Sequence, residues 1–195
     1  MRRPAALLTC LVLTAACAAC TTVPGSEFYI LSCKGGEPAA KPVGASVTVL
    51  AFDAAEAYAA TPVAYRSNAY RLHYDQYRLW AAPPARLVRE QFIACLQKAA
   101  LFERVATSAV ARDTDYMIEG KVVEFCELDE GGDLYASLKL ELRLMDRKRA
   151  VLAAASPRAK VKAERTGDLS GLAEAMSVAA EKAFAEFFQQ VATRK

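Results

Sequence analysis

The sequence is poor in the groups that usually carry chemistry. Its 195 residues include one histidine, His73, and one tryptophan, Trp80. An H-E-x-x-H zinc pair is therefore excluded, and neither a glycine-rich phosphate loop after a strand nor a G-x-S-x-G elbow occurs. As a catalytic base His73 would need a nucleophile and an orienting group beside it, and the sequence supplies neither, so it reads as a structural or solvent-facing side chain. The acidic stretch Glu127 to Asp133 lacks the D-x-[DN]-x-[DN]-G order and the glutamate at position twelve of a calcium loop. It reads as a solvated hairpin loop, and Glu124 and Glu127 read as ordinary surface carboxylates. Nothing points to an enzyme, a cofactor or a metal.

A strong excess of one charge is also missing. Lysine and arginine exceed aspartate and glutamate by 25 − 22 = 3, and loss of Arg2 and Arg3 with a cleaved leader would leave +1. A nearly neutral protein is not built to hold a polyanion, so nucleic acid is not an expected partner.

No apolar run reaches the roughly 20 residues that span a bilayer. The longest begins after Arg2 and Arg3 and ends in small residues, LVLTAACAACTT over positions 11–22. Charged, apolar and small residues in that order make an export signal. A small-residue region ending on cysteine resembles the lipobox of bacterial lipoproteins, in which the thiol takes a diacylglycerol and becomes the mature N-terminus. Cys20 is the favoured attachment point, because Ala18 and Ala19 precede it and polar Thr21 and Thr22 follow. Cys17, preceded by Leu13, Thr14, Ala15 and Ala16, is the alternative. The expected organisation is a signal peptide over 1–19, a lipidated tether over 20–27 and a single α+β domain over 28–195.

Beyond that region only Cys33, Cys95 and Cys126 remain, an odd number without metal-ligand spacing. An oxidising compartment permits one disulfide among them. Buried free thiols are the simpler expectation, with Cys95 on the apolar face of a helix and Cys126 near a strand end.

Strands are expected at Phe28 to Leu31 and Ser46 to Phe52. A hairpin turning at Ser67-Asn68 is expected within Pro62 to Trp80. Pro83 and Pro84 end that strand and open a helix with an apolar stripe of Val88, Phe92, Cys95, Leu96 and Ala99. Tyr116 to Cys126 and Leu134 to Met145 are long strands. The second alternates cleanly, Leu134, Ala136, Leu138, Leu140, Leu142 and Leu144 against Tyr135, Ser137, Lys139, Glu141 and Arg143, which implies one dry face. A third strand, Val151 to Glu164, carries Pro157 as the mark of an edge or bulge. Asp168 can cap a final helix with the stripe Leu172, Ala175, Met176, Ala179, Ala183, Phe187 and Val191. Together these predict a two-layer α+β sandwich, a mainly antiparallel sheet with two amphipathic helices on one face.

One local enrichment remains: Tyr58, Tyr65, Tyr70, Tyr74, Tyr77 and Trp80 are interleaved with Arg66, Arg71 and Arg78. It reads either as aromatic packing on a sheet or as a protein interface. The interface reading places Arg66, Arg71, Arg78 and Trp80 on one face.

The order of these pieces, a lipobox, then Phe28-Tyr29-Ile30-Leu31, Val47-Thr48-Val49, Val63-Ala64-Tyr65-Arg66, and Leu79-Trp80-Ala81-Ala82-Pro83-Pro84 opening a helix that ends in Leu101-Phe102-Glu103-Arg104-Val105, resembles the ABC-type transport auxiliary lipoprotein family. The lipoprotein of the paraquat-inducible system belongs to that family. The resemblance implies a fold like the small α+β domain at the N-terminus of the Tol system's propeller protein. It also implies a non-enzymatic outer-membrane lipoprotein facing the periplasm. Its partners would be an MCE-domain protein with an ABC or membrane transport component, in moving lipids between envelope membranes, and a second copy of the chain is a further candidate. A periplasmic lipid-binding carrier is the alternative function.

Overall fold

The structure, a computed structural model, describes residues 27–35, 41–107 and 114–194. The signal peptide, Cys17, Cys20 and most of the tether lie outside these residues.

The spine of the fold is the hairpin of β7 (Tyr116–Glu130) and β8 (Asp133–Asp146), paired antiparallel along its whole length. Its turn is two glycines with positive φ, Gly131 at 62° and Gly132 at 88°. That is the left-handed pair a two-residue hairpin turn requires. The acidic stretch is thus mostly strand, and only its glycines form a loop.

On one side of the spine, β7 receives β2 (Gly44–Val49), the two-residue β3 (Asp53–Ala54) and β4 (Pro62–Asn68), all in short parallel ladders. β4 continues antiparallel into β5 (Arg71–Trp80), and β1 (Glu27–Tyr29) lies parallel to the end of β5. On the other side, β8 pairs antiparallel with β9 (Val151–Ala155) and β10 (Arg158–Ala163). The long ladders are antiparallel as expected; the short parallel ones were not. Parallel strands need a crossover, and α1 (Pro84–Lys98) supplies it, returning the chain to β6 (Phe102–Ala106) beside β2. Leu101 to Val105, expected as the end of a helix, is mostly this strand. Ala100, at φ 50°, makes the break.

Two further boundaries differ. The β4–β5 turn sits at Ala69-Tyr70, with the Asn68 side chain accepting the Tyr70 N–H at 2.9 Å. Ser156-Pro157 splits the expected third strand into β9 and β10, since proline has no N–H for the ladder.

α1 and α2 (Ser170–Thr193) cover the same face of the curled sheet. The α2 stripe is buried from Leu172 to Val191 as its spacing predicts. Asp168 accepts the N–H of Ser170 at the first turn. Gly171 is forced by packing, because a Cβ there would lie 2.2 Å from the Glu164 carbonyl oxygen. Phe92 of α1 is the hub of the core, with ring centroids 5.5 Å from Phe52, 5.1 Å from Phe184 and 5.4 Å from Phe188.

Candidate functional site

Three features of this fold bear on function: the seat of the N-terminal segment, the charged clusters on the sheet and a groove between the helices.

After β1 the chain leaves the sheet and crosses both helices. The Ser32 N–H donates to Ser177 Oγ of α2 at 3.0 Å, and Gln91 Nε2 of α1 donates to the carbonyls of Ser32 at 2.8 Å and Ser177 at 3.0 Å. Lys34 pairs with Glu174 at 2.9 Å, Lys98 donates to the Cys33 carbonyl, and Glu181 accepts the N–H groups of Lys34 and Gly35. A disulfide joins Cys33 to Cys95. This corrects the expectation of free thiols at both positions; among the described residues Cys126 is the buried free thiol. The pairing was not legible because Cys33 sits outside any periodic element, so nothing in the sequence brings it to α1. A signal for the seat was present, however. Gln91 and Ser177 interrupt apolar helical stripes, and a buried polar residue in such a place must have a partner.

The arginines of the aromatic cluster do not share a face. Side chains alternate along a strand, and a bulge between Val122 and Glu124 changes which residues of β7 face the helices. Ile118 and Val122 face inward before the bulge, Phe125 and Glu127 after it. Trp80 is 1% exposed and packs edge-on against Phe125 with centroids 5.0 Å apart. It is core, not surface, because the register of β5 carries it under the helices. Arg78 lies on the same face and bridges Glu127 at 2.8 Å and Asp75 at 2.7 Å. Arg66 instead meets Glu124 on the opposite face at 3.3 Å. Glu124 also accepts from Ser137 and from Arg158 at 2.8 Å. Of the four predicted interface residues only Arg71, beside fully exposed Tyr70, stands at the surface. His73 stacks on Tyr65 at 5.1 Å, in keeping with a structural role.

Glu124 and Glu127 are therefore buried, not surface, carboxylates. Burial alone would push Glu124 up, but the Ser137 and Arg158 hydrogen bonds and the Arg66 and Arg158 charges hold it below its ordinary value of 4.5. Burial pushes the neighbouring Cys126 thiol up to about 11 and the Tyr58 hydroxyl up to about 12, so both stay protonated and unreactive. A carboxylate depressed on folding adds stability that is fully present above its unfolded pKa and lost as pH falls through its folded one. Glu124→Gln should cost about 1 to 3 kcal/mol at neutral pH. The gap to wild type should close below pH 4.5 in urea melts. A gap that does not vary with pH would show that the carboxylate charge is not what Arg66 and Arg158 require.

Between the C-terminal halves of α1 and α2 runs a groove of about 540 Å³, lined by Cys95, Ala99, Leu101, Phe184, Ala185 and Phe188, with exposed Lys182 and Gln189 beside them. It is mostly apolar and of ligand-pocket size. Among the described residues, the group of potential metal ligands is Cys33, Cys95 and Glu181, and its two sulfurs are already bonded to each other.

A family model described as the ABC-type transport auxiliary lipoprotein component matches residues 29–192. The fold is similar to that of protein XCC0632 from Xanthomonas campestris, with TM-score 0.73, 17% identity, and coverage of 84% of this chain and 93% of that one. It is also similar to the crystal structure of an uncharacterized protein, with TM-score 0.69, 14% identity, and coverage of 86% and 99%. A comparison with curated proteins finds no match.

Proposed function

Because the chain belongs to the ABC-type transport auxiliary lipoprotein family, we propose that it is a non-enzymatic, lipid-anchored accessory component of an intermembrane lipid-transport system, held in the outer membrane and facing the periplasm. The observation that carries this reading is the seat of the N-terminal segment. A chain emerging from an acylated Cys20 meets the domain at β1 and is fixed across both helices by a disulfide and a run of hydrogen bonds. Load on such an anchor passes into the core instead of peeling off a loose terminus. Two or three acyl chains, at about 0.8 kcal/mol per buried CH₂, hold a protein firmly where one does not.

The partner in this reading is an MCE-domain protein with its ABC or membrane component. The docking surface is proposed at the β4–β5 tip. There Arg71 and Tyr70 are exposed, while Arg66, Arg78 and Trp80 brace the hairpin from below through Glu124, Glu127 and Phe125. Alanine at Arg78 would leave Glu127 buried without its ion-pair partner and alanine at Arg66 would remove one of the two arginines on Glu124, so loss of assembly in those variants would report folding as well as docking. Arg71 is the position that separates the two.

Outer-membrane residence is expected because the residue after Cys20 is Thr21 and not aspartate. In separated membranes the wild type should track the outer membrane and Thr21→Asp should move inward. Wild type confined to the inner membrane would contradict the placement, and an unmoved Thr21→Asp variant would favour Cys17 as the attachment site.

The apolar groove favours one second reading, a lipid-binding carrier. Phospholipid recovered with the purified chain and displaced by Ala185→Trp would support it over the adaptor.

A further inference from the structure

The end of the sheet at which the chain arrives from Cys20 carries apolar side chains that are exposed among the described residues. Phe28 is 65% exposed and Ile30 66%, while their neighbours Tyr29 and Leu31 turn inward and pack on the core. β1 pairs Glu27 with Arg78 and Phe28 with Leu79, so Tyr77, 56% exposed, lies at the next position beside them. This is not a loose end. Tyr29 O–H donates to Glu27, Ala81 N–H donates to the Tyr29 carbonyl at 2.8 Å, and the disulfide holds the segment four residues beyond. The chain fixes Phe28 and Ile30 in place and points them outward.

We propose that Phe28, Ile30 and Tyr77 form a second, non-covalent contact with the bilayer, resting among the lipid headgroups beside the acyl anchor and fixing the orientation of the domain. The inference rests on the anchoring reading given above. Seven residue steps separate Cys20 from Glu27, and whatever path they take they span at most about 25 Å. A domain of this length is about 40 Å across. The exit point is thus held within a domain diameter of the membrane, and the exposed apolar group lies at that point. Phenylalanine and isoleucine gain by burial in the interfacial layer, and tyrosine is suited to it by an apolar ring with a polar tip. Acyl chains on a flexible tether hold the protein to the bilayer without setting its orientation, and a second contact of this kind converts a tethered domain into an oriented one. β5 then rises from the membrane end to the Tyr70–Arg71 tip, which the six paired steps of β4 from Pro62 to Asn68 place about 20 Å away.

The test uses the full lipidated chain in vesicles of phosphatidylethanolamine and phosphatidylglycerol, with and without brominated acyl chains. Trp80, the native tryptophan, is buried and supplies a constant background. Phe28→Trp should lose more than about half of its added fluorescence in brominated vesicles, a depth consistent with interfacial residence. Tyr70→Trp, at the opposite end of β5, should lose none. Vesicle-bound chain in which Phe28→Trp is unquenched, or in which both positions are quenched alike, would overturn the inference and leave the anchor intact. Shielding of Phe28→Trp only when a second copy or another protein is added would assign the patch to a protein interface and also overturn it. A chain that carries no acyl group and fails to float with vesicles would sink the anchoring reading, and this inference with it.

Discussion

Replacing Cys33 and Cys95 together by serine should lower the unfolding free energy by about 4 kcal/mol, as read from urea melts of the otherwise unchanged chain. The bond closes a sequence separation of 62 residues. In the chain-entropy account its main effect is to restrict the unfolded ensemble, which sets that magnitude. The loss should be uneven in space. Amide exchange should rise first over residues 30–35, because the remaining hydrogen bonds from Ser177, Gln91, Lys98 and Glu181 are exposed or part-buried and hold a six-residue segment with no ladder of its own. A reducing agent should reproduce the shift in the wild type and do nothing to the double variant. Equal stability of the two chains would mean that the segment is held by its hydrogen bonds alone.

Leu140→Ala should cost about 2 to 5 kcal/mol, whereas Lys139→Ala should fall within about 0.5 kcal/mol of wild type. Leu140 is fully buried between β7 and α2, opposite Val122, while the next residue back turns to the other face beside Glu124 and Arg158. Transfer of the leucine side chain and the cavity it leaves both count against the variant. Comparable losses at the two positions would show that the register of β8 is wrong by one residue. Such a slip would turn every leucine of the strand to water.

The β8 register was legible because five leucines and an alanine alternate with polar residues over eleven positions, and period two admits one reading. The α2 stripe was legible for the same reason at period 3.6, and Pro157 marked its own break in the ladder. What the sequence hid is non-local. The parallel ladders of β2 and β4 on β7 leave no local periodicity, and β6 is a five-residue strand that directly follows a helix. The bulge at Val122/Glu124 was equally hidden, and it had the largest consequence for the candidate site. Without it, simple alternation would carry Glu127 to the outer face; with it, Glu127 comes under the helices to meet Arg78. One inserted residue in β7 therefore decides which of the two carboxylates comes under the helices, and a separate register shift in β4–β5, between Pro62 and Ala64, parts Arg66 from Arg78, which a regular hairpin would have aligned.

The same geometry divides the domain along β5. One end receives the N-terminal segment and exposes Phe28 and Ile30; the other exposes Tyr70 and Arg71. The proposed accessory role, standing on a membrane and meeting a transport component, would use two such ends.

Isolating the tagged, full-length protein from outer-membrane fractions in mild detergent, and identifying by mass spectrometry what accompanies it, separates an adaptor from a carrier. An adaptor should bring with it an MCE-domain protein in amounts comparable to the chain, reduced by Arg71→Glu without loss of the folded domain, together with an N-terminal peptide that begins at an acylated Cys20. A chain that is acylated and folded yet isolates without any transport component, carrying phospholipid in its groove, would contradict the adaptor role.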